Sequence, residues 1–385
     1  MNITFLFGNG FDIGLGMPTK FEDFYKVYCE NQKENNKNIQ EFKKVLKEWL
    51  NLPDEEKRVT DWADFEKTFG AHSLDFQVVE KQKYLERFRN FVDELNLYLE
   101  KVEKYTVFEN TDAIVKVVNQ AIENFKKIRR ADAEEIDAFY RRFGGSKVYN
   151  FATFNYTTTV DFFYEALKVS LQNQNGKDAG RLVHVHGYIE EAMIVGVNDP
   201  SQISKPEFSA DPEVIETLVK PQQNMISRTG HEKDLKTLID NSNVICVYGM
   251  SIGDTDKLWW DYISKWLAVN DLRILVILQY DKKYNKRLPH VQSQYIKPVL
   301  EKFLSFSSLP DEKKQKITNR IFIDFNNSVF AMNAFDVDKY EKDKQLAKKE
   351  SLANDEKTYN EPTELLDKYM DEHSATQEEI DALFA

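Results

Sequence analysis

Four short segments carry the residue types that phosphate, ribose and proton-transfer chemistry use, and each lies at the end of an apolar run. The first is Gly8-Asn9-Gly10-Phe11-Asp12-Ile13-Gly14-Leu15-Gly16-Met17-Pro18-Thr19. Glycines there let the backbone turn sharply and approach a phosphate, while helix N-terminal N–H groups supply partial positive charge. The match to a G-x-G-x-x-G turn is incomplete, because Ile13 stands at the third glycine position. A tight turn without a ligand is the alternative. The second is Thr153-Phe154-Asn155-Tyr156-Thr157-Thr158-Thr159. Asn155 at a strand end would bring its amide near the first turn, but a Thr or Asn capping a helix reads equally well.

The third segment is His184-Val185-His186-Gly187. Residues two apart in a strand share a face, so the pair is either part of a metal site or a single catalytic histidine beside a permissive glycine. No third and fourth metal ligands accompany it, which favours the single His186. The fourth is Gly249-Met250-Ser251-Ile252-Gly253-Asp254-Thr255-Asp256. Ser251 can hydrogen-bond phosphate or ribose. Asp254 and Asp256 read equally as helix N-caps, with Trp259 and Trp260 packing the helix that follows.

Strands must hold these segments in place. Apolar runs at Ile3–Phe7, Val148–Phe154, Leu182–His186, Met193–Val197, Asn243–Tyr248, Leu272–Leu278 and Arg320–Phe325 predict them. Most are continuously apolar or nearly so, as suits strands covered on both faces, and helical patterns between them predict crossovers and a mostly parallel sheet. The fold class is therefore α/β and Rossmann-like. Between the first two strands, Val78, Lys81, Leu85, Phe88, Val92, Leu95, Leu99 and Val102 recur at three- and four-residue steps, as do Ile114, Val117, Ala121, Phe125 and Ile128. These patterns predict a large helical insertion over 31–142, packed beside a domain built from 1–30 and 143–335. Residues 336–385 read as a helical, acidic C-terminal tail, with overlapping capping boxes starting at Ser374 and Thr376.

Composition limits the partners. The chain has 385 residues and a net charge of −12, which argues against a broad nucleic-acid footprint. Cys29 and Cys246 are its two cysteines, too few for a cysteine-rich zinc module or a disulfide framework. The N-terminus has no signal-peptide pattern and no apolar stretch approaches a membrane span, so a soluble cytoplasmic protein is expected.

Taken in order, the four segments resemble the sirtuin-like NAD-binding fold. Gly8, Gly10, Gly16 and Pro18 fall at the spacing of the sirtuin G-A-G-x-S-x-x-x-G-x-P signature, and Asn155 sits at the Asn of T-x-N-x-D. His186-Gly187 matches the catalytic His-Gly pair, and Gly249-x-Ser251 the later G-x-S turn. The wording is closer still to AbiH-type phage abortive infection proteins, through Gly8-Asn-Gly-Phe-Asp12, Gly16-x-Pro18-Thr19, Trp62-x-Asp64-Phe65-Glu66, Phe154-Asn155-Tyr156-Thr157, His186-Gly187 and Gly249-x-Ser251.

The resemblance implies an antiphage effector that binds NAD, as substrate or ligand, and hydrolyses its nicotinamide–ribose bond. Asn155 and His186 would be catalytic. Gly8, Asn9, Gly10, Phe11, Asp12, Gly16, Pro18, Thr153, Gly249, Ser251 and Asp256 would bind the nucleotide, with no metal. A phage or host protein trigger and a homo-oligomer are left open. Asn9, Asp12 and Thr157 depart from the sirtuin Ala, Ser and Asp, and a carboxylate at Asp12 would repel a pyrophosphate unless a cation or ribose hydroxyl meets it. With no four-cysteine zinc module, protein deacetylation is disfavoured. The alternatives are a non-catalytic nucleotide sensor acting through the helical insertion, and a metal-dependent hydrolase of nucleotides or nucleic acid using His184, His186 and Asp12.

Overall fold

A computed structural model describes residues 1–31, 35–51, 61–108, 111–284 and 288–346. Six strands form one all-parallel sheet: β1 (Asn2–Phe7), β2 (Lys147–Thr153), β3 (Lys177–His184), β4 (Val244–Tyr248), β5 (Ile274–Gln279) and β6 (Ile321–Phe325). Their order is β3-β2-β1-β4-β5-β6. This is the order of doubly wound dinucleotide-binding sheets, in which the chain reverses direction across the sheet between the first and fourth strands. In register, Phe5 lies beside Phe151 of β2 and Cys246 of β4.

Between β1 and β2 run α1 (Gly10–Gly14), α2 (Phe21–Glu30), α3 (Lys37–Leu50), α4 (Trp62–His72), α5 (Lys81–Glu103), α6 (Thr111–Asn124) and α7 (Arg130–Tyr140). α8 (Thr159–Leu171) joins β2 to β3. α9 (Pro206–Ser209), α10 (Pro212–Leu218), α11 (Lys220–Ser227) and α12 (His231–Asn241) precede β4. α13 (Lys257–Val269) precedes β5, and α14 (Pro289–Ser305) and α15 (Asp311–Thr318) precede β6.

Strand alternation sorts the core into two faces. Leu6, Ala152, Val247 and Ile277 join Leu235, Trp260 and Ile263 of α12 and α13 on one face. Phe5 and Phe7 point the other way, where Phe125, Phe151 and Phe330 meet them edge-on at centroid distances of 5.0–5.7 Å. Each fully buried Phe contributes about 1.5–3 kcal/mol of burial free energy, so these rings hold the middle of the sheet.

The helices α2–α5 build an aromatic core of their own. Phe91 of α5 stacks on Phe65 of α4 at 3.9 Å, and Phe21, Phe24 and Tyr28 of α2 surround them. Leu85, Phe88, Leu95, Leu99 and Val102 are buried, as their spacing predicts, whereas Val78 lies outside α5 and is exposed.

The structure departs from the sequence reading in the third strand. β3 begins at Lys177, five residues early, and ends at His184, so His186 lies beyond it. Met193–Val197 is not a strand: it is irregular chain with one isolated parallel bridge, Val197 to Val219. Ile194, Val195 and Val197 are buried as a loop, with backbone N–H groups donated to His186, Glu66 and Leu218 rather than to a ladder.

Met1–Phe335 forms one compact unit and Asp336–Ala385 a second. Within the latter, residues 337–346 are helical, and the capping boxes at Ser374 and Thr376 lie outside the described residues. No described helix is long and apolar enough to cross a membrane.

Candidate functional site

In parallel sheets of this order, ligands bind beyond the C-terminal strand ends where the chain direction switches. There the turns after β1 and β4 interlock. Gly8 N–H donates to the Tyr248 carbonyl at 3.1 Å, and Gly10 N–H to the Gly249 carbonyl at 2.7 Å. A Cβ on Gly10 would sit 2.6 Å from Gly249 Cα, and Gly249 has a φ of +63°. These glycines are required because two backbones touch.

A cavity of about 260 Å³ opens beside this junction, lined by Gly8–Gly10, Asp12, Asn155, His186, Gly249–Ser251 and Asp256, together with Trp62, Glu66 and Lys220. All four sequence segments therefore meet. Phe11, Gly16, Pro18 and Thr153 do not line it. The Phe11 ring is buried against Phe7 and Phe163, and Gly16 faces Asn333 at a φ of +88°. The Pro18 carbonyl accepts from Tyr98, and Thr153 Oγ1 accepts the Asn155 backbone N–H. Asn9 spends its side chain on Thr19, donating to the carbonyl and accepting from the hydroxyl.

Asp12 is 1% exposed, and its two carboxylate oxygens accept from the hydroxyls of Thr157 at 2.8 Å and Thr159 at 2.6 Å. Burial pushes its pKa up to about 6, against the lowering effect of Thr159, Thr157 and the Asn155 amide. Asp12 thus ties the first turn to the start of α8. Although the Asn155 amide nitrogen lies close enough to influence Asp12, it completes no hydrogen bond and is buried.

Four distant segments supply a buried chain of ionisable groups. His186 Nε2 lies 3.1 Å from Asp256 Oδ1, Lys220 Nζ lies 3.6 Å from the same oxygen, and Glu66 Oε2 lies 3.1 Å from Lys220 Nζ. Glu66 also accepts the Gly196 N–H. Burial would raise the Asp256 pKa, but Lys220 and His186 outweigh it and hold the carboxyl at about 2. Burial, reinforced by the Lys220 charge, lowers the His186 pKa, so the imidazole is neutral. With Asp256 ionised, Nε2 carries the donated hydrogen and Nδ1 keeps a lone pair. Nδ1 is buried without a partner.

Sequence reasoning gave Glu66 no role and missed Lys220 altogether. Trp62 and Glu66 come from α4: Trp62 Nε1 donates to the Thr19 carbonyl, anchoring α4 on the first loop, and Glu66 lies one turn on. Lys220 opens α11 before Pro221, in a stretch with no motif of its own. His184 turns away from His186, with Nε2 3.0 Å from Asp161 Oδ2. Among the described residues, no three His, Cys, Asp or Glu side chains converge as a metal site, and the grouping of His184, His186 and Asp12 does not form. A second cavity of about 220 Å³, lined by Asn198, Trp259 and Tyr262, shares His186 and Lys220 with the first.

No curated protein matches the chain. A family model described as Bacteriophage abortive infection AbiH matches residues 4–278, a span that contains every lining residue of the first cavity. The chain belongs to the AbiH family of bacteriophage abortive infection proteins.

Proposed function

We propose that the cavity binds a nucleotide of the NAD type and that the protein hydrolyses the nicotinamide–ribose bond during phage infection. The observation that carries this reading is a pair of buried polar atoms without partners, Asn155 Nδ2 and His186 Nδ1, on residues lining a cavity at the sheet's switch point. Buried polar groups in a folded protein are normally satisfied, so two orphans in one cavity call for a polar ligand. A doubly wound sheet supports the same ligand class, and a sirtuin-like ancestry remains part of the proposal.

In the reaction, water oxygen bonds to the anomeric carbon as the carbon–nitrogen bond breaks. That bond's electron pair leaves with the nicotinamide ring nitrogen. His186 Nδ1 takes the water proton, while Asp256 holds Nε2–H and steadies the imidazolium that forms. Asn155 orients the ribose or the attacking water. An oxocarbenium-like transition state of this kind gains from nearby carboxylates.

The test is NAD loss from purified protein, with extract of phage-infected cells as activator. Asn155→Ala and His186→Ala are each expected to slow turnover about 100-fold or more, as for loss of a positioned acid–base group. Unchanged NAD consumption in both variants would remove the role assignment.

A non-catalytic sensor is the second reading. It is favoured by the interlocked turns, whose Gly8 and Gly10 amides are engaged within the protein. Calorimetric binding of nucleotide with no turnover under any activating condition would decide for it.

A further inference from the structure

We infer that the cavity selects its ligand by positive charge, taking the N-ribosylpyridinium end of the substrate and needing none of its phosphates. This rests on the nucleotide reading above and narrows its substrate class to N-glycosides of a cationic base.

The charges lining the cavity are one-sided. Asp12, Asp61, Glu66 and Asp256 stand against Lys220, the one lysine or arginine among the described lining residues. Lys220 is itself engaged by Glu66 and Asp256. Among the described lining residues a pyrophosphate would find no free cation, and an anion taken out of water beside like charges is strongly disfavoured. Of the groups expected to cradle phosphate, those of the first turn are occupied: Gly8 and Gly10 donate to Tyr248 and Gly249, and the Asn9 side chain is spent on Thr19, which leaves Ser251 on the cavity wall.

What remains suits a cation. Trp62, Phe154 and Tyr156 bring aromatic side chains to the cavity lining, and a cation over an aromatic face is attracted to it. Asn155 Nδ2 and His186 Nδ1, on residues at most 5% exposed, offer a donor and an acceptor to ribose hydroxyls. The volume of about 260 Å³ falls just below the roughly 300–1,000 Å³ of sites that enclose drug-sized ligands, and so matches one end of a dinucleotide.

Calorimetry on the full chain with nicotinamide riboside, NAD and ADP-ribose tests this. These probes carry the cation alone, the cation with phosphates, and the phosphates without the cation. Nicotinamide riboside is expected to bind at least as tightly as NAD, and ADP-ribose at least tenfold more weakly than either. Asp61→Asn, which keeps a capping side chain on α4, is expected to weaken nicotinamide riboside about fivefold and leave ADP-ribose no weaker. ADP-ribose binding as tightly as NAD while nicotinamide riboside fails to bind would overturn charge selection and leave nucleotide binding standing. Nicotinamide riboside bound but never cleaved would leave charge selection standing and remove the hydrolase. Binding of none of the three would overturn both.

Discussion

Lys220 is buried with two carboxylates and a neutral histidine around it, and its removal strands the charges it holds. Breaking one partner of a buried ion pair costs about 3–5 kcal/mol, mostly through the charge left behind. Lys220→Met is therefore expected to lower the unfolding free energy by about that amount at pH 7.5, and adding Glu66→Gln to recover part of it. A urea titration checks both, and a loss under about 1 kcal/mol for Lys220→Met would contradict this account. Asp12 gives a prediction of opposite character. Its folded pKa of about 6 lies above the ordinary 3.8, so the folded state holds the proton more tightly than the unfolded chain. The stability this provides is complete below about pH 4 and is lost as pH rises through 6. Asp12→Asn should thus stabilise the protein at pH 8 by on the order of 2–3 kcal/mol relative to the parent, with the gap closing toward pH 4. Unfolding curves at the two pH values that differ by the same amount would refute it.

At the scale of elements, the junction of the β1 and β4 turns leaves no room for a side chain. Alanine at Gly249 must hold a φ of +63° and place its Cβ 2.7 Å from the backbone of Gly10 and Phe11. Gly249→Ala is expected to cost about 2–4 kcal/mol, whereas Gly144→Ala, with nothing within 4 Å, should fall within about 0.5 kcal/mol of the parent or slightly above it. Denaturant unfolding of the two variants side by side is the measurement. The central strands were readable because both faces are buried, which leaves Phe5–Phe7 and Leu275–Leu278 continuously apolar. β3 was half hidden because it is an edge strand, whose Lys177-Asp-Ala-Gly-Arg181 start faces solvent and carries no apolar signal. Met193–Val197 misled for the converse reason, since a buried loop needs apolar residues as much as a strand does. The four motif segments could be found because each is local. The Glu66–Lys220 pair could not, because its partners are 154 residues apart and the attraction between them leaves no pattern in either neighbourhood.

For the molecule as a whole, the family match ends at residue 278, yet the compact unit runs to Phe335. Phe330 packs on Phe5, Phe7 and Tyr248, and the Ala334 and Phe335 N–H groups donate to the Leu15 carbonyl beside the first turn. A chain ending at Phe335 is therefore expected to unfold cooperatively. One ending at Leu278 lacks β6 and this closing segment, and is expected to show no cooperative transition by circular dichroism. A cooperative transition in the shorter chain would show that β6 is dispensable. The interlocked glycine turns also bear on how the protein is made. Residues 8–10 leave the ribosome early, but the backbone they lock against arrives some 240 residues later, with Asp256 just behind it. At about 5–20 residues per second, more than ten seconds of translation separate the two halves. A nascent or terminated chain that stops before Asp256 cannot hold the finished site, so the cavity forms only after about two thirds of the chain has been made.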